Sequence, residues 1–214
     1  MENKKESTKQ KILDSATHLF AMKGFTETTV REVAESVGVK ESSIYNHFES
    51  KNSILENILD EYASIVTYAA SERSKKLPEL KENPTAEGIM ACLTLVYPEG
   101  KAKYYLNRLY VILQEQHRNT LVRKFVSEQI IHNTERVFEN IINKLKEFNI
   151  LRQDTDPDFW VKMHSSIVYT FASRMLLGIG DNSPDYSGMG MYELLHNMFD
   201  MMLKLNGTGN DSIK

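Results

Sequence analysis

The fold turns on the stretch from Thr28 to Lys51, TTVREVAESVGVKESSIYNHFESK. Thr29-Val30-Arg31-Glu32 has the form of a capping box, in which a hydroxyl and a carboxylate three residues on satisfy each other's orphan backbone donors at a helix start. Val30, Val33, Ala34 and Val37 then recur at helical spacing as an inner stripe, and Gly38 ends the helix after about two turns. Gly38-Val39-Lys40 is a tight turn into a further helix, where Ile44 and Phe48 point inward and Ser42, Ser43, Tyr45, Asn46 and His47 outward. A short helix, a glycine turn and a polar-faced helix make a helix-turn-helix. Its outward groups are hydroxyls, an amide, an imidazole and a phenol, all able to reach base edges and phosphate oxygens, and the amides at the helix start attract phosphate.

The flanks fit this reading. Ser7-Thr8-Lys9-Gln10 opens a preceding helix with another capping box, Ile12, Ala16, Leu19 and Phe20 line one face of it, and Gly24 supplies a stop. Ser50 caps a long fourth helix that periodicity carries to about Lys76. Bulk charge decides nothing. Residues 1 to 51 carry eight lysines and arginines against eight acidic residues, and the whole chain has a net charge of −3, so placement of side chains must carry any case for DNA.

Composition narrows the remainder. With 214 residues, 41% of them hydrophobic and 26% charged, the chain is long enough to bury a real core, and ten glycines and five prolines leave room for long helices. An all-α protein is expected. One cysteine, Cys92, excludes an internal disulfide framework and a cysteine-based zinc cluster; it reads as a small core residue in a reducing compartment. No segment has the pattern of a signal peptide or a bilayer span, so a cytoplasmic protein without a membrane partner is expected.

The run Thr28-Thr29-Val30-Arg31-Glu32-Val33-Ala34 through Gly38-Val39, followed by Ser43-Ile44-Tyr45-Asn46-His47-Phe48-Glu49-Ser50-Lys51, resembles the signature of the TetR family of bacterial transcriptional regulators. It covers about the first quarter of the chain. The resemblance implies a homodimer with an N-terminal three-helix bundle, joined by a long helix to a helical domain that binds a small molecule and releases operator DNA. Carried over by position, it places DNA contacts on Thr29, Arg31, Glu41, Ser42, Ser43, Tyr45, Asn46, His47 and Lys51. Thr29 has an alternative role as a cap, His47 as a brace of its helix, and Lys51 as a cation in a solvated turn; phosphate contact is favoured for Tyr45 and Lys51. Glu41 would accept from a cytosine amine while repelling phosphate. Lys40 departs from the family, which commonly has a serine cap there.

The domains are expected at residues 1–51 for DNA binding, with the connecting helix over about 51–76, and at 77–214 for effector binding and dimerisation. Leu77 to Gly88, with Pro78 and Pro84, is the clearest break. Beyond it the periodicity predicts helices at about Thr85 to Val96, Lys101 to Arg118, Leu121 to Asn149, Asp158 to Leu177 and Met189 to Leu205. The last two are apolar around more than one face, which one core does not explain, so they are expected to pack on their own domain and on a twin. The expected dimer residues are Ile167, Phe171, Met175, Met191, Leu195, Met198 and Met202. Candidate effector contacts mix aromatic surface with polar handles: Tyr104, Tyr105, Arg108, Gln114, His117, Trp160, His164 and Tyr169.

Glu128, His132 and Glu135 have the spacing of a helical metal site, but solvated helix ion pairs explain the same spacing and are favoured, and neither a metal nor a cofactor is expected. No Gly-x-Ser-x-Gly elbow, phosphate loop or His-Glu-x-x-His motif is present, so an enzyme is not expected. The leading expectation is a repressor bound to an inverted-repeat operator in double-stranded DNA and released by a small-molecule effector. Beside it stand a regulator without an effector or acting as an activator, and a helical binding protein or enzyme that does not touch DNA.

Overall fold

The computed structural model describes residues 7–93, 97–176 and 189–208, and among them it is all-helical apart from one isolated bridge. Helices run α1 Thr8–Lys23, α2 Val30–Val37, α3 Glu41–Tyr45, α4 Lys51–Lys76, α5 Ala86–Leu93, α6 Ala102–Glu115, α7 Thr120–Phe125, α8 Asn133–Glu147, α9 Pro157–Leu176 and α10 Met189–Asn206. A 3₁₀ turn, Leu77–Lys81, follows α4 at the expected break, and a π-helical segment, Val126–His132, joins α7 to α8. The expected end of α5 near Val96 lies outside the described residues.

The chain forms two compact units, one of residues up to Ile65 together with Tyr97–Val126, the other of Val66–Val96 and the chain from Ser127. In the first, Ile12, Leu13, Ala16 and Phe20 of α1, Val33 and Ala34 of α2, Ile44, Phe48, and Ile54, Leu55 and Ile58 of α4 are all buried. A serine cap opens α1, where the Gln10 side chain turns to Asp14, Glu61 and Tyr104 instead of completing the expected box, and a full capping box opens α2. Ser7 Oγ accepts from the Gln10 amide, and Thr29 and Glu32 satisfy each other's backbone N–H groups. Gly38 has φ of 72°, the left-handed conformation that a side chain disfavours, and its N–H closes α2 on the carbonyls of Ala34 and Glu35. Ser50 Oγ accepts from Ser53 N at 3.1 Å, as its capping role requires. Lys40 at the start of α3 makes no side-chain cap, in keeping with the loss expected there.

Helix α6 belongs to this first unit, although its place in the sequence put it in the second domain. Its buried Val111, Ile112 and Leu113 extend the apolar contact, and Arg108 is buried with them. The guanidinium donates from Nη2 to Asp14 at 2.6 Å, from Nε to Glu61, and from Nη1 to the Tyr104 carbonyl at 3.1 Å. Every charge thus taken out of water has a partner.

The second unit buries Leu80, Ile89, Met90 and Cys92 with Phe138, Ile141, Ile142 and Leu145 of α8, Trp160 and Val161 of α9, and Leu195, Met198, Phe199 and Met202 of α10. The stretch read as one helix from Leu121 to Asn149 is divided by the π segment. A π turn inserts about one residue into the helical register without ending the helix, so a 3.6-residue pattern passes over it.

Candidate nucleic-acid interface

The turn between α2 and α3 leaves a contiguous polar surface. Thr29, Arg31, Glu41, Ser42, Tyr45, Asn46 and His47 are exposed and Ser43 half-buried, while Ile44 and Phe48 between them are buried. Alternation of this kind follows from helical geometry: the residues that anchor α3 leave the intervening ones facing water. Thr29 carries its cap as well, its Oγ1 accepting from Glu32 N at 3.2 Å. Glu32 is held ionised down to a pKa of about 2, first by Lys23 at 2.5 Å and then by the Thr29 amide and hydroxyl. Arg31 meets Glu35 at 2.9 Å in a solvated i,i+4 pair, an interaction weak enough to be exchanged for a phosphate.

Lys51 stands differently from the others. Its ammonium donates to the carbonyls of Phe25 at 2.8 Å, Thr26 at 3.2 Å and Thr28 at 2.8 Å, and lies 4.5 Å from the centre of the Phe25 ring. Those three carbonyls occupy all three of its N–H donors, which makes it a brace for the loop between α1 and α2.

The eight candidate effector residues do not gather at one place. Tyr104 and Arg108 belong to the polar cluster of the first unit, where the Tyr104 hydroxyl donates to Glu61 at 2.6 Å and accepts from Gln10 at 2.8 Å. Burial first, and the bond to Glu61 second, push its phenol far above the ordinary range. Tyr105 stacks on Tyr97, Gln114 is half-buried, and His117 is exposed. In the second unit Trp160 and His164 are core residues, and Tyr169 is exposed. His164 lies between Phe138 and Phe199, and among the described residues its Nδ1 has no hydrogen-bond partner.

Two recesses open in the second unit. One, of about 160 Å³, is lined by Ala70, Arg73, Ser74, Leu77, Cys92, Val137, Asn140 and Ile141. The other, about 590 Å³ and open to solvent, includes Glu128, His132, Glu135, Arg136, Asp158 and Lys162 in its lining. None of the eight candidates lines either. Arg73, within the polar run 71–76, and Asn140, next to Glu139, carry no local signal that marks them as pocket residues. Glu128, His132 and Glu135 do share the larger recess, yet Glu135 is engaged by Lys162 and Ser165, and among the described residues no set of three or more histidine, cysteine or carboxylate groups is placed to hold a metal.

Leu195, Met198 and Met202, expected at a dimer interface, are in the core of this chain, and Met191, Ile167 and Phe171 are half-buried. The Met175 side chain lies outside the described residues. An adjoining face of α10 presents Leu194, Met201 and Leu205, exposed by 51%, 40% and 61%. The helix is therefore apolar on two faces, and the inner one carries Leu195, Met198 and Met202, the residues expected against a partner.

Residues 12–58 match the sequence model of the bacterial regulatory proteins of the tetR family. Over 48 residues the chain is 50% identical to IcaR of Staphylococcus aureus, the negative transcriptional regulator of the biofilm operon icaADBC; this covers 22% of the chain and 26% of IcaR. It is 42% identical over 55 residues to the transcriptional repressor KstR2 of Rhodococcus jostii, covering 26% and 27%. The chain thus matches about a quarter of the length of these relatives. Over 90% of the chain and 95% of the other, it shares its fold at a TM-score of 0.65 and 18% identity with a transcriptional regulator of Saccharomonospora viridis solved in complex with choline.

Proposed function

From an N-terminal domain that belongs to the TetR family of bacterial regulatory proteins, we propose that the chain is a sequence-specific transcriptional regulator, a homodimeric repressor released from its operator by a small molecule. The observation that carries this is the exposed polar set Thr29, Arg31, Ser42, Tyr45, Asn46 and His47, held on a fully packed helix-turn-helix. Asn46 and His47 suit base edges, and Tyr45 suits phosphate. Residues 1–51 read DNA, and residues 77–214 bind the effector and the twin, with α6 also serving the first unit. Repression is supported by what IcaR and KstR2 do, and a small effector by the choline held in the structural neighbour.

Selection from random duplex DNA tests the proposal. A two-fold protein presents two recognition helices, so the expected consensus is an inverted repeat with half-sites one helical turn, or a multiple of it, apart. No enrichment, or an asymmetric consensus, would overturn it. In the enriched site Asn46→Ala is expected to change base preference at one position of each half-site, by roughly 1–3 kcal/mol.

A further inference from the structure

Phe25, in the loop that delivers the chain into α2, is held on every side. Its ring packs on Phe20 at 5.1 Å between centroids, and its carbonyl accepts from Lys51. Its N–H donates at 2.9 Å to Oε1 of Glu115, a buried carboxylate on the last turn of α6, some ninety residues further along the chain. The same carboxylate closes over Gly24, whose φ of 85° ends α1, at 3.6 Å from where a Cβ would stand. Thr28 completes the loop by donating its hydroxyl to the Gly24 carbonyl at 2.9 Å, and Thr29 follows at once with the capping box of α2.

We propose that Glu115 is a positioning residue for DNA recognition: from α6 it fixes the Gly24–Thr28 loop, and through that loop the placement of α2 and α3. Two features make α6 a firm base. Arg108, seven residues earlier and so on nearly the same face, anchors the helix to Asp14 of α1 and Glu61 of α4. The buried Val111 and Ile112 between the two polar anchors exclude water, which strengthens each of them. A charged acceptor binds an amide more strongly than a neutral one, and no other acceptor is recorded for Phe25 N–H among the described residues. The loop therefore depends on a helix well outside the helix-turn-helix motif.

The inference rests on the DNA-binding proposal, and the experiment separates the two. Full-length wild type, Glu115→Gln and Glu115→Leu are titrated with the selected inverted repeat and with an unrelated duplex, at a temperature where circular dichroism shows all three folded. Glu115→Leu is expected to bind the repeat about tenfold more weakly or worse, with its affinity for unrelated DNA nearly unchanged, because the lost acceptor disturbs recognition geometry and not bulk charge attraction. Glu115→Gln keeps an oxygen acceptor and is expected to recover most of the affinity. Hydrogen exchange at the Phe25 amide is expected to quicken in the leucine variant alone. If wild type binds the repeat and the folded leucine variant binds it equally well, the positioning role is wrong and the regulator reading stands; if wild type selects no site, the regulator reading itself fails.

Discussion

At Lys51 the sequence leaves two roles open, a phosphate contact and a place in the turn. A lysine at the end of a DNA-reading motif suggests a phosphate contact, but here the ammonium faces three loop carbonyls. Lys51→Met is expected to lower stability by about 1–2 kcal/mol in denaturant titrations, since those carbonyls lose a charged donor, and to leave the salt dependence of DNA binding unchanged. A salt slope reduced by about one per protomer would restore the phosphate role. His164 leads to a second expectation. Burial first, and the neighbouring Arg73 charge second, depress its pKa from 6.5 to about 4, so the folded chain holds it neutral over a range where the unfolded chain takes up a proton. Stability is then complete above about pH 6.5 and falls by about 1.4 kcal/mol per unit as pH drops toward 4. His164→Phe, which places a third ring beside Phe138 and Phe199, should flatten that part of the profile in pH-dependent melting. An unchanged slope would assign the acid sensitivity to other groups.

At the scale of the element, periodicity and caps located the helices well, because both are local. The box at Thr29–Glu32, the left-handed Gly38 and the start of α4 after Ser50 all lie where their residues indicated. What local pattern cannot supply is which of two apolar faces turns inward, or which unit a helix joins. Tyr104 and Arg108 of α6 read as handles for a ligand, and are instead paired with Asp14 and Glu61, residues more than forty positions away. Helix α10 posed the same problem, and its outward stripe now carries the dimer proposal. Replacing Leu194 and Met201 by glutamate should yield folded monomers in sedimentation, because the changes fall on a solvent-facing surface of one chain and place unpaired charges in an interface. The same exchange at Leu195 and Met198 should instead unfold the second unit, since both are core residues. A dimer that survives the outward pair would move the interface elsewhere.

For the whole molecule, effector control is a statement about linkage between two sites, and a sequence shows neither the ligand nor the coupling. If an effector favours a conformation whose recognition helices no longer match the half-site spacing, ligand and operator must oppose each other by one and the same free energy, commonly about 1–3 kcal/mol. The smaller recess in the second unit suits a compact, partly apolar ligand: Leu77, Val137 and Ile141 supply apolar wall, and Arg73 and Asn140 supply polar ends. A compound that raises the melting temperature should therefore bind the operator-bound protein about 5–150-fold more weakly than the free protein, and should weaken operator binding by the same factor. Titration calorimetry of the compound with and without the operator duplex, paired with operator titrations with and without the compound, measures both ratios. They must agree with each other whatever the mechanism, so the informative result is their size. Two ratios of one would mean that the compound binds without regulating, and would leave a DNA-binding protein whose release is controlled by something other than that ligand.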